Sequence, residues 1–175
     1  MKKIILITGG QRSGKSMYAE RLALSMTDQP IYFATARIWD EEFKERVKRH
    51  QARRGDNWTN IEEEKYLSHH TIYNKVCVVD CITLWCTNFF FDANQNNPKE
   101  PVIDEALDAI KKEFDLFTAQ DATFIFVTNE IGSGGVSDNV VQRRFTDMEG
   151  WMNQYVASKA DEVVLMVSGI PVKIK

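Results

Sequence analysis

The tightest constraint on this chain is the way its first apolar run ends. Lys3 to Thr8 is a short, Ile-rich stretch that reads as a fully buried strand, and it breaks directly into Gly9-Gly10-Gln11-Arg12-Ser13-Gly14-Lys15-Ser16. A helix is predicted from about Gly14, so the pattern G-x-x-x-x-G-K-[ST] sits between a strand and a helix, where it has a mechanical meaning. Glycines let backbone N–H groups converge on phosphate oxygens, the helix N-terminus adds partial positive charge, and Lys15 reaches the outer phosphates. Residues 9 to 16 are therefore expected to grip GTP or ATP, with Ser16 offering its hydroxyl to Mg²⁺.

The remaining chain alternates strand and helix patterns. Strands are predicted at Ile31 to Thr35, Val76 to Asp80, Ala122 to Thr128 and Glu162 to Ser168. Between them, helices are predicted at Asp40 to Arg54, Ile82 to Phe91, Ile103 to Phe117 and Val140 to Lys159. Asp92 to Lys99, rich in amides and ending near Pro98, reads as an exposed loop. Strand and helix in alternation imply an α/β fold with a mostly parallel sheet covered on both faces. No repeat or linker divides the 175 residues, so one domain over 1–175 is expected.

Composition narrows the function. A formal charge of −3 argues against a protein built to neutralise a nucleic-acid backbone. No run of 18 or more apolar residues is present, which predicts no transmembrane segment and a cytoplasmic location. Cys77, Cys81 and Cys86 lack paired spacing and lie in an apolar region, as buried small hydrophobes do.

A phosphate loop names a ligand class and leaves the reaction open. Asp80 closes a hydrophobic run, a position that suits a Mg²⁺ contact and equally a strand-end turn residue. Arg46 through Arg54 concentrates cations around His50. Such a cluster suits a phosphate chain and keeps His50 neutral and nucleophilic; on pattern alone it also fits a solvated helix face with a packed histidine. His69 and His70 have no cationic setting and read as surface residues. Asn129-Glu130-Ile131-Gly132-Ser133-Gly134-Gly135 follows a strand, as either a lid over a second substrate or an ordinary connection.

Taken together, Thr8-Gly9-Gly10, Arg12 to Ser16, Tyr32 to Thr35, Arg46 to His50, Trp58, Cys81-Ile82-Thr83, Val127 to Glu130, Val167 to Ile170 and the closing Val172 to Lys175 carry a resemblance. The chain resembles, end to end, the bifunctional adenosylcobinamide kinase and adenosylcobinamide-phosphate guanylyltransferase family of cobalamin biosynthesis. That resemblance implies a P-loop NTPase domain with a RecA-like sheet, and two reactions. Adenosylcobinamide is phosphorylated, and GMP from GTP is then transferred to its phosphate through a guanylyl-histidine. The family histidine falls on His50, which joins Lys15 as catalytic.

The resemblance further implies that Ala34, Thr35, Ala36, Gln51, Ala52, Arg53, Arg54, Glu62 and Asp80 line the nucleotide site, with Ser16 and Asp80 toward Mg²⁺. Asn129 and Glu130 are the candidates for the corrinoid substrate. A homotrimer is implied as well, although Val141, Phe145, Met148, Met152 and Tyr155 at helical spacing read as core. Trp39, Trp85 and Trp151 are apolar groups that a neighbouring copy could share. Competing readings are a simple small-molecule kinase, in which His50 only binds phosphate, and a nucleotide-driven switch ATPase.

Overall fold

The computed structural model describes residues 1–38 and 54–175. Seven strands form one sheet: β1 (Lys3–Gly9), β2 (Ile31–Ala34), β3 (Thr59–Glu62), β4 (Val76–Asp80), β5 (Thr123–Val127), β6 (Glu162–Val167) and β7 (Ile170–Lys173). Their spatial order is β3-β2-β4-β5-β1-β6-β7, with every pairing parallel except the β6–β7 hairpin. Among the described residues the α-helices are α1 (Lys15–Leu24), α2 (Ile82–Ala93), α3 (Asp104–Phe117) and α4 (Val140–Lys159). The mostly parallel α/β sheet matches the sequence reading, and the predicted helix over 40–54 falls almost entirely outside the described residues.

The central strands alternate their side chains between two apolar layers. Toward α2, α3 and α4, Phe33, Phe114, Phe117, Phe124 and Phe126 pack with Trp85, all essentially solvent-free. Their rings meet mainly edge to face, as Phe33 does with Phe117 at 5.3 Å between centroids. Toward α1 the layer is thinner: Ala19 and Ala23, one helical turn apart, let the helix approach Ile5, Ile7, Val78 and Val127 closely. As expected, Met148 and Met152 are core residues, with Val141, Phe145 and Tyr155 packed against that core.

Three expectations need correcting. Asp92 and Ala93 belong to α2, and Asn94 is buried, its amide bonding the carbonyls of Phe90 and Val102 and the N–H of Val102. The exposed loop therefore begins after Asn94, because the amide closes the helix end onto the chain before α3. Trp85 is wholly interior, donating its indole N–H to the Lys65 carbonyl, so it is not a group for sharing with a neighbour. Trp151 is about half exposed, and Trp39 lies outside the described residues. Finally, β3 and β7 were not predicted: both are short edge strands of mostly exposed residues, without the alternation that marks a half-buried strand.

Candidate nucleotide site

Sheet register aligns the strand ends. Glu62 pairs with Ala34, Ala34 with Asp80, Asp80 with Val127 and Val127 with Ile7, which makes one row along the carboxyl edge. Ligands of open parallel sheets bind beyond that edge. Here the chain leaves β1 into the phosphate loop.

The loop's shape depends on its glycines. Gly9 has φ +146°, and a Cβ there would stand 2.5 Å from the Met166 carbonyl oxygen and 2.9 Å from Ser13 Oγ. Gly14 caps α1 at φ +94° with no side-chain cap, so the first N–H groups of the helix remain available to an anion. A second element braces the loop from outside. The β6–β7 turn at Ser168-Gly169, both at positive φ, packs Gly169 Cα against Gly14 and donates the Gly169 N–H to the Ser13 carbonyl at 2.9 Å. Ser13 Oγ is buried without a hydrogen-bond partner, an orphaned polar atom that an anion could reach.

Lys15 is buried, with Nζ folded back onto the Gly10 carbonyl at 2.6 Å. Burial lowers its pKa, against the attraction of Cys81 and Asp80. That attraction brings the strand-end carboxylate into the field of the phosphate-loop lysine. Asp80 is itself oriented by Tyr32, whose hydroxyl donates to Oδ2 at 2.6 Å; burial, reinforced by Asp80, raises the phenol's pKa well above its ordinary value. The Tyr32–Asp80 pair was missed in the sequence because partners 48 residues apart leave no local signal.

Ala34, Thr35 and Ala36 lie at the same edge, yet the Thr35 side chain is committed inward. Its hydroxyl donates to the Cys81 carbonyl at 2.8 Å and accepts the Cys81 N–H at 2.9 Å, tying the ends of β2 and β4 together. Arg54 is also internal: its guanidinium carbon lies 3.5 Å from the Tyr32 ring centroid, and Nε donates to Asn60. It therefore stacks on the ring whose hydroxyl orients Asp80. Glu62 is exposed at the end of β3, in line with Ala34. His50, Gln51, Ala52 and Arg53 lie outside the described residues.

After β5, Glu130 donates its N–H to the Gly9 carbonyl at 3.1 Å and accepts the Thr8 hydroxyl at 3.2 Å. Asn129 is turned toward α2, where its N–H and amide both reach Thr83 Oγ1. The sequence-predicted pair thus sits beside the phosphate loop, with Glu130 exposed and Asn129 half-buried. The cysteines are buried as expected, and burial pushes the Cys81 thiol up to about 12 and those of Cys77 and Cys86 upward too.

Residues 5–174 match the model of the family described as cobinamide kinase / cobinamide phosphate guanyltransferase. The chain belongs to that family. It is 38% identical over 181 residues to the bifunctional adenosylcobalamin biosynthesis protein CobU of Escherichia coli, covering 98% of this chain and 99% of that one. CobU of Salmonella typhimurium gives the same figures, and CobP of Pseudomonas aeruginosa is 34% identical over 176 residues, covering 97% and 96%. Among solved structures, a prototypical ATPase from the type III secretion system of pathogenic bacteria superposes with a TM-score of 0.57 at 12% identity. That match covers 93% of this chain and 50% of the ATPase, and it speaks for the P-loop fold alone. No helix among the described residues is long and apolar enough to cross a membrane.

Proposed function

We propose that this enzyme of cobalamin biosynthesis works in two steps at the carboxyl edge of its sheet. In the first, the hydroxyl of the aminopropanol arm of adenosylcobinamide takes the γ-phosphoryl group of ATP or GTP. In the second, the neutral imidazole of His50 attacks the α-phosphorus of GTP, forming a P–N bond as the P–O bond to pyrophosphate breaks. An oxygen of adenosylcobinamide phosphate then displaces the histidine, giving adenosylcobinamide-GDP and restoring the imidazole. The role of His50 rests on the family resemblance and its cationic neighbours in sequence.

The observation that carries the reading is the phosphate loop itself, with an uncapped α1 N-terminus behind it and Lys15 within the field of Asp80. Residues 9–16 would bind the triphosphate, Lys15 stabilising charge on the transferring or leaving phosphates. The hydroxyl of Ser16 and the carboxylate of Asp80 are hard oxygen donors that fit Mg²⁺, which would supply neutralising charge at the phosphates. Ala34, Ala36, Glu62 and the segment Gln51 to Arg53 would border the nucleotide, and Arg54 would hold that segment in place. Asn129 and Glu130 would meet the corrinoid, Glu130 the more directly because its carboxylate is exposed. We assign the enzyme a cytoplasmic setting and a homotrimeric assembly on the same family grounds.

Phosphate transfer tests the reading. With γ-labelled GTP or ATP, Mg²⁺ and adenosylcobinamide, the protein should label the corrinoid, and Lys15→Ala should not. Nucleotide hydrolysis that leaves the corrinoid unlabelled would favour the switch ATPase instead.

A further inference from the structure

Behind the Asn129–Glu130 loop lies a polar cluster that the proposed chemistry does not use. Glu149, from the middle of α4, is only 1% exposed, within one turn of the buried Met148, Met152 and Asn153 on the same helix. Its Oε1 accepts the Thr83 hydroxyl at 3.1 Å and lies 3.2 Å from Thr128 Oγ1, whereas its Oε2 is buried with no partner. Each of those threonines is joined to the site loop. Thr83 Oγ1 receives both the N–H and the amide of Asn129, and Thr128 continues directly into that residue. Asn153, the next turn of α4, donates its amide to the Asn129 carbonyl at 3.2 Å.

Hydrogens can be counted around Thr128. Its single hydroxyl hydrogen goes to Asn153 Oδ1 at 2.7 Å, the shorter of its two contacts. The contact with Glu149 is then best supplied with a hydrogen by the carboxyl itself, which can donate to Thr128 while accepting from Thr83. Desolvation favours the neutral form and outweighs the side-chain hydrogen bonds of Asn153, Thr83 and Thr128, which favour the charged one. Cys86 on α2 and Glu130 on the loop are its titratable neighbours, and neither offers positive charge. An ionised carboxylate would leave Oε2 charged and unsolvated.

We propose that Glu149 is a positioning residue for the nucleotide site, holding the Asn129–Glu130 loop against the phosphate loop through Thr83 and Thr128 while its carboxyl is neutral. The chain of contacts is continuous: Glu149 to Thr83, Thr83 to Asn129, then Glu130 to the Gly9 carbonyl and the Thr8 hydroxyl. Desolvation lifts the Glu149 pKa to about 7, so ionisation falls in the neutral range. The resulting charge repels Glu130 from behind and loosens its hold on the start of the loop.

This inference rests on the nucleotide reading of residues 9–16, and binding separates the two. GTP affinity in the presence of Mg²⁺ is measured by equilibrium dialysis at pH 6.0 and pH 8.5, on the wild type and on Glu149→Gln, which is uncharged at both. The nucleotide's own titration is common to both proteins and cancels in the comparison. Affinity of the wild type should fall about three- to ten-fold more between the two pH values than that of the glutamine variant. Equal pH ratios in the two proteins would overturn the positioning role alone, whereas a wild type that binds no GTP at either pH would overturn the nucleotide reading and this inference with it. Thr83→Val, which breaks the link without touching the carboxyl, should weaken binding at pH 6.0; unaltered affinity there would also overturn it.

Discussion

The two faces of the sheet are built for different tasks. The face toward α2, α3 and α4 holds the large rings, from Phe33 to Phe126 with Trp85. The face toward α1 is packed with alanines and also buries Lys15, Glu20, Tyr32 and Arg54. The first face also buries Asn88, Glu113, Glu149 and Asn153 on its helices, whereas the second keeps a buried lysine, Lys15, beside the phosphate loop. Stability is concentrated where packing is apolar, and reactivity where a few polar groups are held without full solvation. Glu149 links the two, since it lies on the side of the large rings and reaches the site edge through two threonines.

This contrast can be broken by changing one face and reading the other. Phe126→Ala removes a ring in contact with Phe114 and Phe117 and should cost about 3–5 kcal/mol of stability in urea unfolding. The folded fraction should still bind GTP, and loss of binding in folded protein would mean that the faces are not separable. On the other side, Lys15→Ala should leave the melting temperature almost untouched while cutting phosphate transfer about 10²- to 10³-fold. A large drop in stability would make Lys15 a structural residue.

Glu149 sharpens the comparison through pH. Its pKa stands at about 7 in the fold against a usual 4.5, so between those values the unfolded chain has released the proton while the folded chain keeps it. Its contribution to stability is full below the lower value, declines as pH rises to about 7, and stays lost above, a change of up to about 3 kcal/mol. Glu149→Gln lacks this decline, so its stability relative to the wild type should rise from pH 5 to pH 8. A constant difference would place the carboxyl in a charged, compensated state.

Smallest of these is Tyr32→Phe. Removing the donor to Asp80 at 2.6 Å should cost about 1–3 kcal/mol, seen as weaker Mg²⁺-dependent GTP binding more than as a lower melting temperature. The opposite division would mean that Tyr32 serves only the core.

Much of the candidate site can be read from the sequence because its parts are local. Eight consecutive residues form the phosphate loop, and Asp80 announces itself by closing an apolar run. What escaped depends on contacts between distant segments. The brace from Ser168-Gly169 joins segments from opposite ends of the chain, so no local pattern announces it. The Thr35 side chain splices β2 to Cys81, and nothing in the order of residues says which way its hydroxyl turns. Glu149 reads as one more charge on an amphipathic helix, and only burial distinguishes it.

A covalent guanylyl group at His50 is the central consequence of the two-step scheme. The purified protein would be incubated with Mg²⁺ and GTP labelled at the α-phosphate, denatured, and compared with His50→Ala. Label that stays on the wild type, resists alkali, is lost in acid and is absent from the variant is the predicted result. A wild type that binds GTP yet retains no label, or a variant labelled as well as the wild type, would contradict it.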